Sequence, residues 1–194
     1  MQPRTNAQRE YLAALDEIAR RIAESLGNVA PEALPIRMYI AGGTALHFHT
    51  GERVSRDVDA AFSRRIALPE NLEVAYRDAD GAAQLLYFDR NYSDTLALMH
   101  EDAYDDSQPL ALPGVDAGVL DVRLLSPLDL AVSKLGRFAG QDRDDIAALA
   151  RHGLIDAGGL RQRAEAALTA YVGDTARVQN TIDIACRIVD NMRG

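Results

Sequence analysis

Tyr39-Ile40-Ala41-Gly42-Gly43-Thr44-Ala45-Leu46, followed by Arg53-Val54-Ser55-Arg56-Asp57-Val58-Asp59, decides how this chain is read. Apolar residues lead into a glycine pair, a short segment carries the chain to Gly51, and two carboxylates then stand at i and i+2 in a strand-like run. Side chains alternate faces along a strand, so Asp57 and Asp59 point one way while Val58 points into the core. Two carboxylates on one face, about 6–7 Å apart along the backbone, suit one or two Mg²⁺ ions. The glycines permit close backbone approach, and a helix opening near Thr44 offers its first-turn N–H groups to a phosphate. A phosphate cradle beside metal-binding carboxylates serves phosphoryl or nucleotidyl transfer.

Working outward, residues 7–26 place Leu12, Leu15, Ile18, Ile22 and Leu26 at spacings of three and four, which predicts a helix with Thr5 or Asn6 as its cap and Gly27 as its stop. Pro31 and Pro35 break the chain before a strand over 36–41. Thr44 to Thr50 reads as a short helix ending at Gly51, and His47 and His49, two apart, point to different sides, so packing or hydrogen bonding is expected of them rather than ligation. A strand over 56–62 follows. Alternating runs at 72–76 and 84–88 flank Asp80-Gly81 as a hairpin, with a helix over 65–76 as the alternative. Further strands are expected at 95–100, running into Glu101-Asp102, and at 119–125.

Ser126-Pro127 then opens a helix with Asp129 in its first turn, an apolar side made of Leu128, Ala131, Leu135 and Phe138, and an end at Gly140. Gln141 to Leu149 gives a second helix, and 156–171 and 174–192 give two more, separated by Gly173-Asp174. With 194 residues, 47% apolar and 26% charged, the chain is expected to form one domain with an appendage: a core over 1–125 and a helical region over 126–194 packed on it.

Composition limits the function classes. The net charge of −8 argues against broad, sequence-independent nucleic-acid binding, which needs many cations facing phosphates, although it leaves a polynucleotide substrate open. Arg20-Arg21 and Arg64-Arg65 read as solvated charge. No apolar run reaches the roughly 18–20 residues of a membrane span, and the polar start lacks the apolar centre of a signal peptide, so a cytoplasmic location is expected. The single cysteine, Cys186, lies in an apolar helical pattern and reads as a buried thiol.

The ordered set Gly42-Gly43-Thr44, a short intervening segment and Asp57-Val58-Asp59 resembles the signature of the minimal nucleotidyltransferases. Arg53 and Ser55 sharpen the likeness to the AbiEii-like abortive-infection and toxin-antitoxin branch, whose strand motif reads Arg-x-Ser/Thr-x-Asp-apolar-Asp. The resemblance covers about residues 36–150. It implies a nucleotidyltransferase fold of the α/β (α+β) class, with a small mixed sheet flanked by helices and a helical C-terminal third. It implies Mg²⁺ on Asp57 and Asp59 and a nucleoside triphosphate held by Gly42, Gly43 and Thr44, with Arg53, Ser55 and Lys134 as clamping groups. Lys134 would touch nucleotide phosphates with Asp145 orienting it, although Asp142 and Asp144 compete for that match. A third carboxylate is expected from a later strand, with Asp102 chosen ahead of Glu101, Asp89 and Asp121. The acceptor would be a hydroxyl of RNA, protein or a small molecule, and a cognate antitoxin is the implied partner. The rivals are a non-catalytic binding protein that keeps the fold and a metal-dependent phosphohydrolase.

Overall fold

The computed structural model describes residues 8–92 and 97–193. It has six helices and two small mixed sheets among the described residues, the α+β architecture expected. The chain divides into two compact units, one made of residues 1–92 and 107–124, the other of 93–106 and 125–194.

In the first unit, α1 (Arg9–Ser25) buries Tyr11, Ala14, Leu15, Ile18, Ala19 and Ile22 along one stripe. Each large member contributes about 1.5–3 kcal/mol by leaving water, so α1 is held by packing more than by its ends. The helix starts after Gln8, so Thr5 and Asn6, expected as caps, lie outside the described residues. At the other end Leu26 closes the last turn through its N–H to Ala23 O at 3.0 Å, one residue before the expected glycine stop.

Next come β1 (Ile36–Ile40) and α2 (Gly42–Thr50), which ends at Gly51 with φ +75°. The single strand expected over 56–62 is two, β2 (Asp57–Val58) and β3 (Ala60–Phe62), which belong to different sheets. β4 (Glu73–Arg77) and β5 (Ala83–Phe88) form the expected hairpin, and the alternative helix over 65–76 is absent. β6 (Gln108–Pro109) and β7 (Leu120–Leu124) complete the set. β6, which periodicity cannot reveal at two residues, is pinned by Arg123, whose Nε donates to Ser107 Oγ at 2.7 Å and whose Nη2 donates to Ser107 O at 2.6 Å.

The first sheet runs β3-β1-β7-β6, with β1 parallel to β7 and antiparallel to β3. The second runs β2-β5-β4, with β2 parallel to β5. Asp59 is the residue at which the chain leaves one sheet for the other, and its C=O accepts from the Ala41 N–H at 2.8 Å.

The second unit contains α3 (Pro127–Ser133), α4 (Gly140–Arg151), α5 (Ala157–Leu168) and α6 (Thr175–Arg193). Ser126 caps α3 as expected: its Oγ accepts from the Asp129 N–H at 3.0 Å and donates to the Asp129 carboxylate at 2.6 Å. α3 ends at Ser133 with Lys134 as its C-cap rather than at Gly140; Phe138 then turns the chain with φ +53°, and Gly140 begins α4. Asp142 sets that start by accepting from the Ala139 N–H at 2.8 Å. The strand expected over 95–100 is irregular from Ala97 to His100, and Thr95 and Leu96 lie outside the described residues. Cys186 is buried and donates to Ala157 O at 3.5 Å, joining α6 to α5, and burial raises its thiol pKa. No helix among the described residues is long and apolar enough to cross a membrane.

Candidate functional site

The glycine pair lies inside α2, as its first two residues, rather than ahead of it. Three N–H groups of this first turn, those of Gly42, Gly43 and Thr44, lack an intrahelical acceptor by geometry, and the aligned peptide dipoles make the end electropositive. Gly42 has φ +58°, and a Cβ there would fall inside the carboxylate of Asp59. A Cβ on Gly43 would stand 2.6 Å from Arg53 Nη2 and 2.7 Å from Ser55 Oγ. The room expected for a phosphate is therefore shared with the site's own charged side chains. The two missing methyl groups let a carboxylate and a guanidinium lie directly on the helix N-terminus.

Thr44 is a second departure from expectation. Its hydroxyl, assigned to a triphosphate above, is fully buried, donates to Asp57 O at 2.8 Å and pairs with Tyr11 Oη at 2.9 Å. It acts as a strut that fixes where β2 begins. Tyr11 stands edge-on to His47 at 4.8 Å and to Tyr76 at 5.6 Å, and burial pushes its phenol pKa up. His47 is fully buried, accepts from the Gln8 N–H through Nε2 at 3.2 Å and faces Glu52 O through Nδ1 at 3.1 Å. These partners assign the proton to Nδ1 and give the ring the hydrogen-bonding role expected of it.

Val58 on β2 is fully buried and Ala60 on β3 nearly so, whereas Asp57 and Asp59 are half-exposed, the burial alternation expected along this run. Ser55 donates its hydroxyl to Asp57 Oδ1 in a short hydrogen bond. Arg53, which overlies Gly43, has φ +33°, a conformation unfavourable for a side-chain-bearing residue and characteristic of constrained functional loops. Arg53, Ser55, Asp57, Asp59, Gly42 and Gly43 are thus gathered around one turn of backbone.

The remaining acids differ in placement. Asp89 follows β5, and its N–H donates to Val58 O at 3.0 Å. The parallel register of β2 and β5 pairs Asp57 with Tyr87 and Val58 with Phe88, the residue before Asp89. Asp121 sits on β7, with Arg123 Nη1 at 3.2 Å and Arg37 Nε at 3.8 Å. Asp102 lies in the second unit on an exposed turn, its carboxylate 3.7 Å from His100 Nδ1, and Glu101 is exposed in the same turn. Among the described residues no set of three Asp, Glu, His or Cys side chains converges on a common metal position.

Lys134 and Asp145 also belong to the second unit, where Nζ donates to Asp145 Oδ2 at 2.6 Å. Both are buried, so the pair is a desolvated ion pair rather than a surface bridge. Asp142 is matched separately: burial alone would raise its pKa, but the fork of Arg137 at 2.8 and 2.7 Å and the Ala139 N–H outweigh it and hold the carboxyl below its ordinary value. Which aspartate faces the lysine is therefore settled in favour of Asp145.

Sequence reasoning missed Tyr11, which reaches Thr44 from a helix 33 residues away.

Mg²⁺ is commonly held by one or two carboxylates together with water and substrate phosphates, and two half-exposed aspartates beside an electropositive helix end match that requirement. A family model described as nucleotidyltransferase of unknown function (DUF6036) matches residues 17–190. No curated protein and no solved structure matches the chain.

Proposed function

We propose, from the premise that this chain belongs to that family of nucleotidyltransferases of unknown function, that it transfers a nucleoside monophosphate from a nucleoside triphosphate to a hydroxyl acceptor. The observation that carries the proposal is the gathering of Asp59 on Gly42 and of Arg53 and Ser55 on Gly43, at the N-terminus of α2 and beside Asp57.

The first-turn N–H groups and the Arg53 guanidinium bind and orient the triphosphate, whose charge matches both. Asp57 and Asp59 would hold Mg²⁺ together with water and the phosphates, and Asp89, whose N–H donates to Val58 O, is the nearer rival to Asp102 for a third acid within the sheet unit. Mg²⁺, when bound, neutralises charge on the phosphates and lowers the pKa of the attacking hydroxyl. The acceptor oxygen forms a bond to the α-phosphorus, the α–β anhydride bond breaks, and pyrophosphate leaves with the electron pair. The hydroxyl proton passes to the Asp57–Asp59 carboxylates and on to water. Ser55 and Thr44 position Asp57, one through its carboxylate and the other through its backbone carbonyl.

The run Arg53-Val54-Ser55-Arg56-Asp57-Val58-Asp59 further supports an AbiEii-like role in a toxin-antitoxin or phage-defence pair, with a cognate antitoxin as partner and the cytoplasm as the site of action. One observation favours a second reading, a non-catalytic protein that keeps the fold: no three-ligand set converges among the described residues. Incubation with each α-labelled nucleoside triphosphate, Mg²⁺ and total cellular RNA or protein separates the two. Labelled acceptor with stoichiometric pyrophosphate supports transfer; Mg²⁺-dependent nucleotide binding without product supports the binding protein.

A further inference from the structure

Sheet β2-β5-β4 has two unlike faces. Tyr76, Leu86 and Phe88 turn inward and are buried, whereas Glu73, Ala75 and Arg77 on β4 and Ala83, Leu85 and Tyr87 on β5 are exposed, as strand alternation requires. Leu85 and Tyr87 are 43% and 39% exposed, and among the described residues of the sheet unit they are the exposed large apolar side chains. Scattered singly they would need no explanation, but both stand on one face, neighbours along the same strand.

Register orders that face in three levels: Glu73 pairs with Tyr87, Ala75 with Leu85, and Arg77 with Ala83. The Tyr87 level is acidic, because Asp57 flanks Tyr87 on β2 as Glu73 does on β4. The Ala83 level is basic. Arg77 Nη1 donates to Gly81 O at 2.7 Å, which fixes a guanidinium that has further donors to offer. Asp78 turns to the other side of the strand, where it accepts from Gln84 Nε2 at 2.8 Å. Glu73 and Arg77 are about 13–14 Å apart along β4, too far to pair with each other. Bulk is as uneven as charge: the acidic level carries the tyrosine ring, and the two alanines leave a hollow of about 390 Å³ lined by Arg56, Ala75, Ala83, Gln84 and Leu85.

The β4 edge is blunted against an added strand. Arg21 Nη1 donates to Asn71 O and Glu73 O, each at 3.2 Å, so a strand pairing through its backbone finds those carbonyls taken. The face remains, acidic and bulky at one end, basic and hollow at the other, with Leu85 midway. Such a surface is complementary to itself turned end for end.

We propose that this face pairs with the same face of a second copy of the chain, about a two-fold axis that runs across the strands at the level of Ala75 and Leu85. Rotation about that axis reverses strand direction and exchanges the outer levels. Glu73 then stands over the partner's Arg77, Tyr87 enters the hollow beside the partner's Ala83, and Leu85 meets the partner's Leu85 at the axis. Each outer contact is made twice. A two-fold axis along the strands would instead set Glu73 over the partner's Tyr87 and Arg77 over the partner's Ala83, leaving both charges without an opposite. Two chains of net charge −8 repel at long range, but at about 0.15 M salt the Debye length is about 8 Å, which screens that repulsion and spares opposite charges in contact. A face built on strands of five and six residues is small, so the interface falls below about 1,200 Å² and the dimer is weak and concentration-dependent. The pairing stands independently of the nucleotidyl-transfer reading, with Asp57 at its rim.

Sedimentation equilibrium of the full chain from about 1 µM to about 1 mM, the range of weak association, tests the pairing. Wild type is expected to pass from monomer to dimer within that range, and Leu85→Asp, at the axis, to stay monomeric throughout. Glu73→Arg and Arg77→Glu each set like charges opposite one another twice and should weaken the dimer about 10-fold or more. Mixed in equal amounts, the same two variants should form a heterodimer, because each then meets its opposite charge at both ends. That gain cannot come from a variant that fails to fold. Wild type that stays monomeric to the top of the range would give the face to an unlike partner and overturn the proposal. So would a dimer that Leu85→Asp leaves intact, or a mixture of the two charge variants no more associated than either alone.

Discussion

Asp129, Asp142 and Asp145 in the helical unit are 1, 1 and 2% exposed and are met by Arg163, Arg137 and Lys134, respectively; Asp57 and Asp59 in the sheet unit are half-exposed, share one side of the chain and lie beside a helix N-terminus. The first group shows what carboxylates do when they hold a fold together. Arg163 forks onto Asp129 at 2.8 and 3.1 Å and reaches Asp106 at 2.7 Å, tying α5 to the start of α3. The second group lies where water reaches it, Asp57 held by the Ser55 hydroxyl and Asp59 against Gly42, and in the function proposed above it would hold a metal. Neutralising a member of each group should therefore have opposite consequences.

The largest expected effect is at Asp145. Asp145→Ala leaves the Lys134 ammonium buried without its carboxylate and is expected to lower unfolding stability by about 3–5 kcal/mol in urea titration. Replacing both residues by similar-sized apolar ones, Lys134→Met with Asp145→Leu, should recover most of that loss. If the lysine serves nucleotide phosphates as the resemblance implied, the recovered double variant will bind triphosphate more weakly than wild type; equal affinity reduces the pair to architecture.

Next in size is Gly42→Ala. Its φ of +58° and the overlap of the new methyl with Asp59 are expected to cost about 1–3 kcal/mol and to displace the carboxylate, so metal-dependent affinity falls together with stability. Gly43→Ala should separate the two effects, because its φ is not positive and its collisions are with the far end of the Arg53 side chain and with the Ser55 side chain. Affinity should fall more than stability there, and unchanged affinity in a folded Gly43→Ala protein would show that Arg53 has no part in binding.

A smaller effect concerns pH. Burial lowers the pKa of His47 below its ordinary 6.5, so the unfolded chain takes up this proton at a higher pH than the folded one. The contribution of a neutral His47 is whole above about pH 6.5 and declines as pH falls below that value toward the folded pKa. His47→Gln should flatten the stability profile in that window, and an unaltered profile would place the proton elsewhere.

Much of this was legible in the sequence because it depended on local pattern. The stripe of α1, the turn at Asp80-Gly81 and the Ser126-Pro127 start of α3 each follow from spacing and cap chemistry confined to a few residues. The alternation around Val58 was legible for the same reason. What escaped depended on partners distant in the chain. The run over 56–62 reads as one strand by period, yet it changes sheets at Asp59, because β5 claims one half and β1 the other. Thr44 looked like a ligand for phosphate until Tyr11 and the Asp57 carbonyl took its hydroxyl. The glycines signalled close approach correctly, but not that Asp59 and Arg53 were the groups approaching.

The smallest expected change in stability accompanies the largest expected change in function. Asp57→Asn keeps an oxygen for the Ser55 hydroxyl and removes one of two like charges, so the metal-free protein should be as stable as wild type within about 0.5 kcal/mol, or more stable. The decisive measurement is calorimetric titration of nucleoside triphosphate, with and without Mg²⁺, on wild type, Asp57→Asn and Asp59→Asn, alongside the melting temperature of each. Mg²⁺-dependent binding in the wild type that disappears in both variants at an unchanged or raised melting temperature is the predicted result. A lowered melting temperature with Mg²⁺-dependent affinity intact in both variants would contradict it.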